Sequence, residues 1–364
     1  VRVTLPVNRQ GLSYSRGRIW LTDATLPMTY RAFRDSSLER AMTTNTIEPV
    51  LTEATPESSK RVDPWMLTGP ILVATDGTDT SDAAMRVADA IARDHGLTAQ
   101  AISVLEPLAS MYAPVDGLMV SLPPTVSDMT RAEMRMTGVR ERLRKTLQTA
   151  DSWKVQVKIG QVAASVVEAA NEIDASLIVL GLGKHRPVDR LLGDEIAAQV
   201  VRRSSIPVLA VPHDATAPLR RTVVGIDFSR AAVRAARVAV TLTTPPGHIW
   251  LTHVKAPLDV PTEAYEGASV IYTQGVLGAF KKIEERLEEV ELLEVRPVVL
   301  EGKVADELLA FATSHRADLL VTGAHGRTLV ERLLIGSVTT KLLRAARCSV
   351  LVIPPYREDR EPRV

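Results

Sequence analysis

The chain has 364 residues, 45% of them apolar and 4% aromatic, enough for two domains of roughly 150 residues with cores of Val, Leu, Ile and Ala. With 44 basic and 43 acidic side chains its formal net charge is +1, which offers nucleic acid or an anionic membrane no electrostatic attraction. The single cysteine, Cys348, excludes an intramolecular disulfide and fits a reducing cytoplasm, and no apolar run approaches the roughly 20 residues that span a bilayer.

Residues 1–66 are rich in Thr, Ser, Arg and Pro without clear periodicity and read as a poorly ordered N-terminal extension. They lack the charged-then-apolar pattern of a leader peptide. Because Met28 and Met42 lie inside this stretch, it is expected to include residues upstream of the working start codon. A partner-binding tail is the other reading.

From Ile71 the pattern changes. Ile71–Thr75 is an apolar strand running into Asp76. Ser81–His95 repeats apolar residues at helical spacing (Ala84, Val87, Ala88, Ile91), with Gly96 placed to cap it. A strand over Ala99–Leu105, a long loop and an amphipathic helix around Ser127–Thr149 follow. Then come a strand near Val155–Ile159, a helix over Ala163–Ile173, the strand Leu177–Leu180, a helix near Asp194–Arg203 and the strand Pro207–Val211.

The second half repeats this order. Val223–Ile226 runs into Asp227, Ala231–Leu242 is helical and Ile249–Val254 is a strand. A helix near Val276–Leu293, the strand Arg296–Leu300, the helix Val304–Ser314 and the strand Leu319–Thr322 come next. A helix over Val338–Arg347 and the strand Ser349–Ile353 close the unit. Asp76 matches Asp227, Ala175 matches Ala317 and Pro212 matches Pro354, with the offset changing between pairs as loops differ. That is a duplicated domain, not a solenoid of short periods. Apolar strands alternating with helices make a parallel sheet with right-handed crossovers, whose ligands sit beyond the strands' carboxyl ends.

One stretch there has the makings of an anion site. Gly323-Ala-His-Gly326 ends a strand, and Gly336-Ser337 opens a helix nine residues later. Glycines let a ligand approach the backbone, and a helix start offers unpaired amides and partial positive charge. Turn glycines with Ser337 as a plain N-cap are the competing reading.

Gly-x-x-Gly, nine residues, then Gly-Ser, closed by Cys348-Ser-Val-Leu-Val-Ile-Pro354, resembles the ATP-binding signature of the universal stress protein family. The last-strand motif occurs twice, the first time as Ser205-Ile-Pro-Val-Leu-Ala-Val-Pro212. The resemblance covers residues 70–212 and 221–355. It implies an α/β fold of two tandem five-stranded, parallel-sheet, Rossmann-like domains packed as a pseudo-dimer. The repeats would occupy 67–212 and 220–356, joined by a linker over 213–219, with a charged tail over 357–364. The implied ligand is ATP, with magnesium as companion cation, and the implied role is a cytoplasmic, occupancy-dependent regulator of stress adaptation.

Carried over residue by residue, the resemblance puts Asp227 and Val254 beside adenine and ribose, and Gly323, Gly326, Gly336 and Ser337 around ribose and phosphates. His325 and Arg327 lie in the loop within approach of the phosphates, or remain solvated. The first repeat keeps Asp76, Val104, Gly181 and Gly193 but has Lys184 where Gly326 stands and Asp194 where Ser337 stands. A carboxylate there opposes phosphate oxygens: two like charges about 4 Å apart cost roughly 1 kcal/mol in water and about 4 at an effective dielectric of 20. This copy is expected to bind nucleotide weakly.

Family members pair their last strands antiparallel between subunits. Here Pro207–Val211 and Ser349–Ile353 are expected to pair within one chain, with a homodimer of the whole unit left open. Walker A, dinucleotide-fingerprint, metal-ligand and nucleophile-elbow patterns are absent from the sequence, and Cys348 is expected to be buried and inert. Two other readings stay open, a slow ATPase or nucleotidyl-transferring enzyme and an interaction module that binds no nucleotide. The first has His325, Arg327 and Arg332 to draw on.

Overall fold

Aliphatic runs punctuated by Gly, Pro and Asp form strands buried on both faces, and the amphipathic runs between them form the helices that cover those faces. The computed structural model describes residues 12–15, 18–21, 67–108, 112–115, 118–121, 125–182, 196–256, 262–287, 291–324 and 336–354. The first elements are strands β1 (Leu12–Ser15) and β2 (Arg18–Leu21). The first repeat contains β3 (Ile71–Ala74), α1 (Asp82–Asp94), β4 (Ala99–Leu105), β5 (Tyr112–Val115), β6 (Leu118–Ser121), α2 (Val126–Thr146) and β7 (Lys154–Ile159). It continues with α3 (Val162–Glu172), β8 (Leu177–Leu182), α4 (196–203 as described) and β9 (Val208–Pro212). The second repeat contains β10 (Arg221–Gly225), α5 (Arg230–Leu242), β11 (Gly247–Lys255), α6 (Thr262–Glu284) and β12 (Leu293–Glu301). It closes with α7 (Val304–Ser314), β13 (Leu319–Gly323), α8 (Ser337–Ala345) and β14 (Ser349–Ile353).

The described strands form one main sheet in the order β1-β2-β12-β11-β10-β13-β14-β9-β8-β3-β4-β7, with β5 and β6 paired separately. Each repeat is parallel within itself, its strands ordered third, second, first, fourth, fifth. The repeats join through β14 and β9, which run antiparallel with Val350 opposite Ala210, Leu351 opposite Leu209 and Val352 opposite Val208. The intramolecular pairing expected from the two terminal-strand motifs is therefore present. Helices cover both faces. One core layer lies under α1, α2, α5 and α6, the other under α3, α4, α7 and α8. Both layers cross the seam, so the repeats share one interior. Cys348 is buried, and burial pushes its thiol up to about 12.

The structure differs from expectation in three places. Residues 12–21 lie in the extension read as poorly ordered, yet β1 and β2 pair antiparallel and Ile19 of β2 sits opposite Val299 of β12. The long loop after β4 contains the β5–β6 hairpin. Helix α6 begins at Thr262 and ends at Glu284, and the chain enters β12 after Leu292 at φ +67°, a left-handed conformation that does not continue a right-handed helix. Among the described residues, no helix is long and apolar enough to cross a membrane.

Helix α2 starts with a reciprocal cap. Thr125 Oγ1 accepts from the Asp128 amide at 3.1 Å, and the Asp128 carboxylate accepts from the Thr125 amide at 3.2 Å and hydroxyl at 2.7 Å. The Thr125 hydroxyl bond, against the opposing effect of burial and helped by the Leu108 and Thr125 amides and Arg131, holds the Asp128 carboxyl below its ordinary range. Thr125→Ala is expected to cost about 1 kcal/mol in urea unfolding at neutral pH. The part carried by ionised Asp128 is fully present above the usual carboxylate pKa of about 4 and is lost as pH falls through the depressed folded value. The gap between wild type and variant should therefore narrow in acid.

Candidate functional site

In each half the strand order reverses between the first and fourth strands, which opens a crevice at their carboxyl ends. In the second half this crevice lies between β10 and β13. Asp227 follows β10, Val254 is buried near the end of β11, and Gly323 ends β13. The Ile226 amide donates to Thr252 O at 2.8 Å, tying the start of the Asp227 turn to β11. Asp227 Oδ1 accepts from the Ser229 amide at 3.0 Å, and Ser229 caps α5 by accepting from the Ala232 amide at 3.2 Å.

Between them Phe228 holds φ +61°, a conformation that costs a non-glycine residue on the order of 1 kcal/mol. Packing holds it there. The Phe228 ring is buried with its centroid 4.8 Å from that of His253 and 5.2 Å from that of Phe280. His253 Nδ1 lies 2.7 Å from Ile226 O, and Nε2 lies 2.9 Å from the Tyr272 hydroxyl. A carbonyl oxygen can only accept, so Nδ1 carries the hydrogen, and in the neutral ring Nε2 then accepts from Tyr272. His253 packs against the Phe228 ring and braces the Asp227 turn.

The other wall joins residues distant in sequence. The Ala324 amide donates to Ile353 O at 2.8 Å, and the Gly336 amide donates to Ala324 O at 3.1 Å. Thr339, a residue only 2% exposed, donates its hydroxyl to Gly323 O at 3.0 Å. These bonds set the end of β13 against the start of α8, so Gly323, Gly336 and Ser337 meet at one rim. Gly336 is the N-cap and offers no side-chain cap, while Ser337 is exposed in the first helical position. A Cβ at Gly336 would lie 3.3 Å from Ala324 O, tighter than ordinary packing. The N-cap thus supplies no side-chain acceptor to the first-turn amides, which lie at the positive end of the helix dipole, and that suits an anion. His325, Gly326 and Arg327 lie outside the described residues.

The first repeat is arranged otherwise. Its loop from Asp76 to Ser81 is longer than the Asp227–Ser229 turn and includes a helical turn over Asp79–Ser81. That turn lies on the end of β8. A Cβ on Gly181 would be 3.1 Å from Ser81 Cα and 3.4 Å from Thr80 O. The Asp76 carboxylate is engaged within the loop, accepting from the Thr78 amide at 2.9 Å and hydroxyl at 2.7 Å. Helix α2 clamps the same loop, with Arg135 donating to Asp76 O and Arg142 Nε donating to Asp82 at 2.6 Å. Val104 is half-buried in β4 opposite Lys158, and Ile196 stands where the second repeat has Thr339. Lys184, Gly193 and Asp194 lie outside the described residues. Among the described residues, no group of three or more His, Cys, Asp or Glu is placed to hold a metal ion.

Comparison with known proteins follows the duplication. Residues 68–212 and 218–354 each match the pattern of the universal stress protein family. A universal stress protein of Methanocaldococcus jannaschii is 30% identical over 145 residues, 38% of this chain and 85% of its own length. One from Mycobacterium tuberculosis is 31% identical over 208 residues, 55% of this chain and 68% of its own. Another, from Mycolicibacterium smegmatis, is 25% identical over 301 residues, 78% and 97% of the two lengths. Among solved structures, a universal stress protein from Archaeoglobus fulgidus aligns with TM-score 0.55 at 18% identity, covering 80% of this chain and 97% of that one. At that identity the likeness supports the fold alone.

Proposed function

The chain belongs to the universal stress protein family, and we propose that its second repeat binds an adenine nucleotide, ATP foremost, and that occupancy of this site regulates a cytoplasmic stress response. The observation that carries this reading is the start of α8, which is capped by Gly336 without a side-chain acceptor and held against Gly323. Its amides and Ser337 would take the phosphates, with magnesium arriving as their counterion. Asp227 and Val254, on the neighbouring strand ends, would border ribose and base. His253 has both ring nitrogens engaged, which suits positioning better than proton transfer, so the reading is of a binder and not a catalyst.

Calorimetric titration of the nucleotide-stripped chain with Mg-ATP tests this. Saturation at one equivalent is expected, matched by adenine nucleotide in mass spectra of small molecules carried through native purification. No binding, or two equivalent sites, would overturn the assignment.

A further inference from the structure

At the seam the last turns of α1 and α5 meet the linker and leave a cavity of about 430 Å³, within the range of small-molecule sites, which favour domain boundaries. None of its lining residues belongs to either strand-end crevice. Its walls are apolar and preformed, with Ile91 from α1, Leu219 from the linker, and Val240 and Leu242 from α5 all less than a tenth exposed.

The polar groups around this space are mostly acceptors. Asp94 lines the cavity from the exposed end of α1, and its Oδ2 takes a long 3.4 Å bond from the Thr244 hydroxyl, leaving accepting capacity to a ligand. The nearby donors of α5 are spent. The Thr243 amide and hydroxyl both go to Ala239 O, at 3.0 and 2.6 Å, and the Thr244 amide goes to Leu219 O at 2.7 Å. The final carbonyls of α5 have no intrahelical donor, and both helices end here at the negative pole of their dipoles. Among the described residues, neither Lys nor Arg lines the space. We propose that this cavity binds a small organic cation, an apolar body bearing a protonated amine, with the amine at Asp94 and the body between α1 and α5. The chemistry is opposite to that of the α8 anion site and does not depend on it.

Ligand-observed NMR and calorimetry with two probes of similar shape test the proposal, tryptamine as cation and indole-3-propionate as anion. The full chain should bind tryptamine saturably, with the anion at least about fivefold weaker, as one exposed charge contact near 4 Å would give, and with the difference shrinking in salt. Asp94→Asn should bring the two probes to within about twofold of each other by removing that contact. Ala90→Trp and Thr241→Trp, which fill the cavity from opposite helices, should abolish tryptamine binding while urea midpoint and circular dichroism report an intact fold. Any of four results overturns the proposal: no saturable tryptamine binding by wild type, equal or stronger binding of the anion, a preference that survives Asp94→Asn, or tryptamine binding that persists in both folded tryptophan variants.

Discussion

Ser337→Asp should weaken ATP binding by about a hundredfold while leaving the fold as stable as before, or slightly more so. Ser337 is exposed in the first position of α8, so the new side chain meets no steric barrier. A carboxylate there favours the helix dipole by about 0.3–1 kcal/mol. Toward a phosphate the sign reverses, with repulsion between about 1 kcal/mol in water and about 4 at an effective dielectric of 20. A value near 2.7 kcal/mol is roughly a hundredfold. Calorimetry and urea unfolding on the same preparation separate the two effects, and unchanged affinity would remove the phosphates from this helix start.

The first repeat is a natural form of this experiment, since Asp194 occupies the matching place. Reverting it is not expected to open a second site. The Asp79–Ser81 turn already lies against Gly181, with Ser81 Cα 3.1 Å from where a Cβ would stand. Asp194→Ser should still saturate at one equivalent of ATP, and a second equivalent would show that charge alone had closed that crevice.

The seam carries the second large effect. Leu351 and Leu209 face each other across β14 and β9, both fully buried in the same core layer. Leu351→Ala should cost about 3 kcal/mol, within the range for buried leucines. Because that layer continues through this pair into both halves, the loss should reach both repeats. A single urea transition is expected to move to lower concentration, and hydrogen exchange should speed up in β8 and β13 alike. Two separate transitions, with protection lost only in the second repeat, would mean that the halves are independent.

Much of this architecture was legible because the central strands are continuous aliphatic runs. Ile71, Leu177, Leu319 and Val350 each sit in a strand whose observed limits lie within about two residues of the apolar run, as expected where burial on both faces leaves no competing pattern. The hairpins were less visible. Asp116-Gly117 separates Tyr112–Val115 from Leu118–Ser121, a strong turn signal, but neither flank has the uninterrupted apolar run that marked the core strands. In α6 the buried positions Val276, Ala279, Phe280 and Ile283 announce only the later part of a longer helix.

At the candidate site, the glycines and Ser337 stood out because an anion cradle would need those residue types. The bonds that assemble them did not. Thr339 reaching Gly323, and Tyr272 bracing His253 beneath Phe228, join elements far apart in the chain and follow from packing, not local pattern. The obstruction beside Gly181 arises from extra residues between Asp76 and Ser81, a difference that appears only when the two halves are aligned loop by loop.

Since β9 and β14 run in opposite directions, Asp227 and Asp76 look toward opposite poles of the molecule. On the proposed function, a protein that responds to nucleotide is expected to contact the hemisphere bearing Asp227, since Gly323 and the start of α8 lie at that same pole. The far hemisphere has Thr80 and Ser81 set against Gly181 at its own crevice, so on the same reading it would present one face at any ATP level. Duplication of one fold would then have produced a reading pole and a fixed handle.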